Sequence, residues 1–151
     1  MKKRIPHGKS NFEMLVNENC YYVDRTQFIE KLEEMPNSFQ FFLRPRKFGK
    51  SLFISMLSYY YGLEHKEKFQ KLFGEYFIGK NLTASANSYH ILQFDFSGIA
   101  TYDEEVLIQS FRSSIVGSLI SFNGKYKLIS EEEMSEVKAE KEPADVITGF
   151  L

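Results

Sequence analysis

With a single cysteine, Cys20, the chain has no route to an intramolecular disulfide, and without a Cys/His cluster it has no zinc framework. A reducing, cytoplasmic setting is the resulting expectation. Neither sign of charge dominates. The formal net charge is -1, so no global field draws the chain toward nucleic acid or an anionic membrane. No stretch approaches the roughly 18 consecutive apolar residues of a membrane span. The basic start Lys2-Lys3-Arg4 runs into Pro6, His7 and Gly8 rather than an apolar core, so no secretion signal is expected. Together these absences predict no membrane partner. Tryptophan is missing too, yet 15 Phe and 9 Tyr among 151 residues leave ample aromatic material for one core. The length suits a single domain over 1–151, in which residues 130–151 read as a charged C-terminal tail.

What is present alternates between β-prone and helical patterns. Cys20-Tyr21-Tyr22-Val23 is a short aromatic run that ends at Asp24. Asp24, with Gln27 three residues on, reads as the N-cap of a surface helix over roughly 25–34. Phe39-Gln40-Phe41-Phe42-Leu43 is almost continuously apolar and reads as a central strand buried on both faces. Residues 51–61 are apolar nearly all round, which predicts a helix packed on several sides and ended by Gly62.

A polar helix over about 64–73, a second strand over 89–96 and a long amphipathic helix to about Phe122 complete the pattern, the last opened by a Thr101/Glu104 capping box. Ser130 and Glu133 form another such box. The order strand, loop, helix, helix, strand, helix predicts an α/β fold: a P-loop NTPase-like parallel sheet flanked by helices, incomplete on its C-terminal side.

Gly-Lys-Ser occurs at 8–10 and again at 49–51, and context separates the two. A phosphate loop needs a strand before it and a helix after it, so that backbone N–H groups and the helix dipole converge on one anion. Only 49–51 has apolar runs on both sides, and 8–10 reads as an ordinary loop. Lys50 would reach the β and γ phosphates and the Ser51 hydroxyl would ligate magnesium, while a side chain at 49 would block close approach. The first glycine of the general pattern is replaced by Arg44; Arg44, Arg46 and Lys47 instead bring positive charge to a polyphosphate. The nucleotide-binding set predicted is Arg44, Arg46, Lys47, Phe48, Gly49, Lys50, Ser51 and Leu52.

Arg44-Pro45-Arg46-Lys47-Phe48-Gly49-Lys50-Ser51-Leu52 resembles the R-P-R-[RK]-F-G-K-[ST]-L loop of the AAA-ATPase-like family of prokaryotic P-loop proteins. The similarity includes Arg4-Ile5-Pro6, Tyr21-Tyr22-Val23-Asp24-Arg25-Thr26, Ser55-Met56-Leu57 and Phe94-Asp95-Phe96-Ser97-Gly98-Ile99. The resemblance implies ATP and magnesium as ligands, with the missing glycine a family trait. It also implies a following acidic Walker B strand, L-I-D-E-Y-D in the family, and a domain resembling PD-(D/E)XK nucleases. The chain stops before both, so the expectation is an N-terminal portion in which hydrolysis is weak and whose open sheet edge leads to self-association or completion by another polypeptide.

Asp95, read as a carboxylate within an apolar strand, and Asp24 are candidates for supporting positions around magnesium rather than for direct catalysis. The competing reading is a non-catalytic nucleic-acid-binding module that uses the basic loop 44–50 on phosphates.

Overall fold

The computed structural model describes residues 2–150. Its contacts divide the chain into two compact units, Met1–His90 and Ile91–Leu151. In chain order the helices are α1 (Phe12–Asn17), α2 (Phe28–Glu33), α3 (Lys50–Tyr61), a 3-10 turn (Leu63–Lys68), α4 (Phe69–Phe73), α5 (Phe77–Lys80), α6 (Glu104–Tyr126), α7 (Glu131–Ala139) and α8 (Pro143–Phe150).

The parallel sheet expected from the sequence is not there. Among the described residues the only β pairings are two isolated bridges, Arg4 with Cys20 and Gly62 with Tyr89. Neither apolar run meets a partner strand: among the described residues 39–43 has no backbone hydrogen bond to any other segment, and 91–96 is unpaired as well. A period of apolar residues makes a segment β-prone, but a sheet forms only where a second segment accepts its N–H and C=O groups. The chain is therefore mainly helical, and the expected open sheet edge loses its basis. Instead of being buried on both faces, Phe39 and Phe41 are 94% and 86% exposed.

The first unit is built on α3. Its residues Met56 and Tyr60 are fully buried with Phe12 of α1, Ile29 of α2, Leu72 and Phe73 of α4 and Ile78 of α5. Aromatic rings make most of this core: Phe12 stacks on Phe73 at 5.1 Å, Tyr22 meets Phe12 edge-on at 5.5 Å, and Tyr60 meets Phe73 at 5.6 Å. Each such pair adds about 0.5–1.5 kcal/mol beyond its burial.

Helix α1 starts where Asn11 accepts the Met14 N–H at 2.9 Å, and its Phe12 N–H donates to the Ser55 hydroxyl of α3 at 3.0 Å. Polar pairs close the same seam: Tyr59 donates to Glu13, which also pairs with Lys68 at 2.8 Å. At the other end of α3, Asn87 donates to the carbonyls of Tyr59 (3.3 Å) and Gly62 (2.8 Å), so the helix stops at Gly62 with its last acceptors satisfied.

The second unit packs Ile115 and Leu119 of α6 against Val137 of α7 and Val146 of α8. Helix α6 begins two residues later than the Thr101/Glu104 reading, because Asp103 is its cap and accepts the Val106 N–H at 2.8 Å. The Ser130/Glu133 box forms as read, with both reciprocal bonds. Residues 130–150 are two helices joined at Pro143, which sits at the first position of α8, where its missing N–H costs nothing. Arg112 of α6 donates to the Lys138 and Glu140 carbonyls and so holds the end of α7. No helix among the described residues is long and apolar enough to cross a membrane.

Candidate functional site

The loop 44–51 lies in the first unit and opens directly into α3. Phe48 N–H donates to the Pro45 carbonyl at 3.4 Å, which turns the chain, and Lys47 and Gly49 both take left-handed backbone angles (φ 67° and 79°). Phe48 between them does not. Alternation of this kind points successive N–H groups toward one side and makes a concavity for an anion. Gly49 is the N-cap of α3; no side chain caps the helix and no acidic residue occupies its first turn. The first N–H groups of a 12-residue helix therefore face the loop without a protein acceptor on a side chain.

Lys50 is the first residue of α3, and its ammonium reaches back over the loop to donate to the carbonyl of Pro45 at 3.2 Å and to that of Arg44. These two bonds close the loop into a ring. Ser51 is exposed, and among the described residues its hydroxyl has no hydrogen-bond partner, so it is available to a ligand or a metal ion. Arg44, Arg46 and Lys47 are exposed, and among the described residues none has a carboxylate at salt-bridge distance. Phe48 is 66% exposed, while Leu52 is half-buried against the α3 core and ties the loop to it. A β-carbon on Gly49 would meet nothing within 4 Å, so in the free protein the left-handed φ is what demands glycine there.

The other Gly-Lys-Ser behaves differently. Gly8 also has a positive φ (66°), but no helix follows at once, and the Lys9 ammonium is held by Glu18.

Asp24 does not cap the helix 25–34 as expected. Gln27 stands at the N-cap of α2 and makes no capping bond. The Asp24 carboxylate instead accepts the Thr26 N–H (2.9 Å) and hydroxyl (2.7 Å) with one oxygen and the Phe77 N–H (2.8 Å) with the other. Thr26, fully buried, passes the link on by accepting the Ile78 N–H at 3.1 Å. This pair therefore caps α5, more than fifty residues away. No local pattern in the sequence signals a cap that far along the chain.

Asp95 belongs to the second unit and is exposed, where a strand-borne, buried carboxylate had been expected. It accepts the Ser97 N–H at 2.9 Å; that N–H, then the Ser97 hydroxyl, holds its carboxyl below the usual range. Sequence reasoning also missed the left-handed turn at Lys47, since lysine carries no signal for it.

One relative is an uncharacterized protein in the vnfD 5' region of Azotobacter chroococcum mcd 1, 40% identical over 58 residues. That stretch is 38% of this chain and 11% of the relative, so the chain spans a small part of the protein it matches. No solved structure matches. Residues 6–148 match the family described as "Predicted AAA-ATPase", which leaves few residues outside the match. The chain belongs to this AAA-ATPase-like family.

Proposed function

We propose that the chain binds ATP together with magnesium at the loop 44–51. The observation that carries this reading is the Lys47 to Lys50 turn: two left-handed residues set in front of an uncapped helix start, with the Lys50 ammonium folded across the loop. Each part is suited to a phosphate. The α3 N–H groups and its dipole favour an anion, Lys50 supplies a point charge, and Arg44 and Arg46 can approach the polyphosphate from outside. Ser51, one residue beyond Lys50, has a free hydroxyl for a magnesium ion that also contacts the nucleotide. Membership of the AAA-ATPase-like family supports ATP as the nucleotide.

None of this needs the sheet. The loop is held by α3, whose buried Met56 and Tyr60 fix the helix in the first unit. Titration calorimetry with ATP and magnesium, run beside Lys50→Ala, tests the reading. We expect affinity to fall at least about tenfold in the variant, since a charge-assisted bond contributes about 1.5–3 kcal/mol. Circular dichroism should be unchanged, because the Lys50 side chain contacts only exposed loop carbonyls. Equal affinity in the two proteins would refute the assignment.

A further inference from the structure

Charge around the loop is one-sided. From Met35 to Leu63 the chain carries four cationic side chains, Arg44, Arg46, Lys47 and Lys50, and no carboxylate, although its overall balance is -1. All four are exposed, and among the described residues none has a carboxylate at salt-bridge distance. Uncompensated charge of one sign, concentrated in this way, is matched to a ligand with several charges of the other.

Lys50 cannot meet such a ligand alone. An ammonium has three donors, and two of them go to the carbonyls of Pro45 (3.2 Å) and Arg44. With the loop closed, one N–H is left for a phosphate oxygen. The same bonds identify the cation beside it. A carbonyl oxygen in contact with the ammonium puts the Arg44 Cα within about 6 Å of that charge, less than the length of an extended arginine side chain. The Arg44 guanidinium can therefore reach a phosphate that Lys50 touches, and its planar fork grips two oxygens where an ammonium holds one. Position 44 is also where the general phosphate-loop pattern has glycine, so this side chain is an addition to the site.

We propose that Arg44 is the specificity-determining residue for the terminal phosphate, so that the loop takes nucleoside triphosphates in preference to diphosphates. The proposal rests on nucleotide binding at 44–51. The N–H groups at the start of α3 hold the inner phosphates, which both nucleotides have, and the Arg44 fork closes on the outermost phosphate, which only the triphosphate has. Arg46 and Lys47 raise the local potential for any anion and do not separate the two ligands.

Titration calorimetry with ATP and with ADP, magnesium present throughout, reads this selectivity as a ratio of two affinities. The wild-type chain should bind ATP at least about tenfold more tightly than ADP. Arg44→Gln should weaken ATP at least about fivefold more than ADP, and Arg44→Lys, which keeps the charge but loses the fork, should fall between. Arg46→Gln should weaken both by similar factors and leave the ratio unchanged. Circular dichroism should match wild type in each case, because both side chains are exposed. If ATP binds and is lost in Lys50→Ala, yet the wild-type ratio is near one or is unaltered in Arg44→Gln, the proposal is overturned while the nucleotide site stands. A wild-type chain that binds neither nucleotide overturns both. Collapse of the ratio in Arg46→Gln instead gives the role to Arg46 and overturns the assignment to Arg44. Should Arg44→Gln misfold, Arg44→Lys decides, and a wild-type ratio in that variant overturns the proposal.

Discussion

The Lys50 ammonium lies 3.2 Å from the Pro45 carbonyl oxygen, so the first residue of α3 is tied to a residue five positions earlier. The cation of the loop and the helix that follows are thereby fixed relative to each other before any ligand arrives. Preorganisation of this kind lowers the cost of ordering a loop on binding. Its weak point is the backbone between the two residues.

Gly49→Ala should expose that weakness. At φ 79° an alanine pays about 1–2 kcal/mol for the left-handed conformation, although no neighbour lies within 4 Å of the new methyl group. The loop can relax because it is exposed, so global stability should change little. Affinity for ATP should fall by about an order of magnitude as the N–H groups turn away. Calorimetry beside a thermal melt separates the two effects, and an unchanged affinity with a lowered melting temperature would contradict the prediction.

Asp24→Ala should do the reverse. It removes the acceptor for the Phe77 N–H and for Thr26, freeing the start of α5, which buries Ile78 in the first core. Loss of such a cap costs about 0.5–2 kcal/mol, a drop of a few degrees in melting temperature. ATP affinity should be retained, because both oxygens of Asp24 are already committed within the fold. A variant as stable as wild type with weaker ATP binding would return Asp24 to the ligand.

The contrast between these sites explains what the sequence could convey. Helix α3, the stop at Gly62 and the Ser130/Glu133 box are encoded within a few residues, and they form where the pattern puts them. Asp24 carries the same local signal for a cap, but its partner is Phe77, and choosing between two caps requires the tertiary fold. The 39–43 and 89–96 runs fail as strands for a related reason: residue type sets the tendency to extend, while pairing depends on a second segment. At the candidate site, Gly49 and Lys50 were legible from the motif. The positive φ of Lys47 and the Lys50 bonds to the Arg44 and Pro45 carbonyls were not, since both are properties of a closed loop.

Acid should loosen α7 selectively. The Ser130 N–H, then its hydroxyl, holds the Glu133 carboxyl below the ordinary glutamate value, so the folded form binds its proton less readily than the unfolded chain. Its contribution is complete above the unfolded value of about 4.3 and is lost as pH falls through the lower folded value. Exchange at the α7 amides should therefore rise below that pH. Glu133→Gln keeps an oxygen for the Ser130 N–H and removes the titration. Identical acid profiles for the two proteins would count against Glu133 as the source.

Asn87 closes the other end of the helix that carries the loop. It is buried, its side chain donates to Tyr59 and Gly62, and its own N–H donates to the Tyr60 carbonyl at 2.8 Å. Asn87→Ala leaves two carbonyls at the end of α3 short of a donor, one of them through a bond that is fully buried. The cost should be about 1–3 kcal/mol, increased by the left-handed φ of 48° that asparagine tolerates better than alanine. Asn87→Gly removes the same bonds without that backbone cost, so it should fall between wild type and Asn87→Ala in a denaturant titration. If glycine is the more damaging of the two, flexibility of the 83–89 connection outweighs backbone strain at position 87.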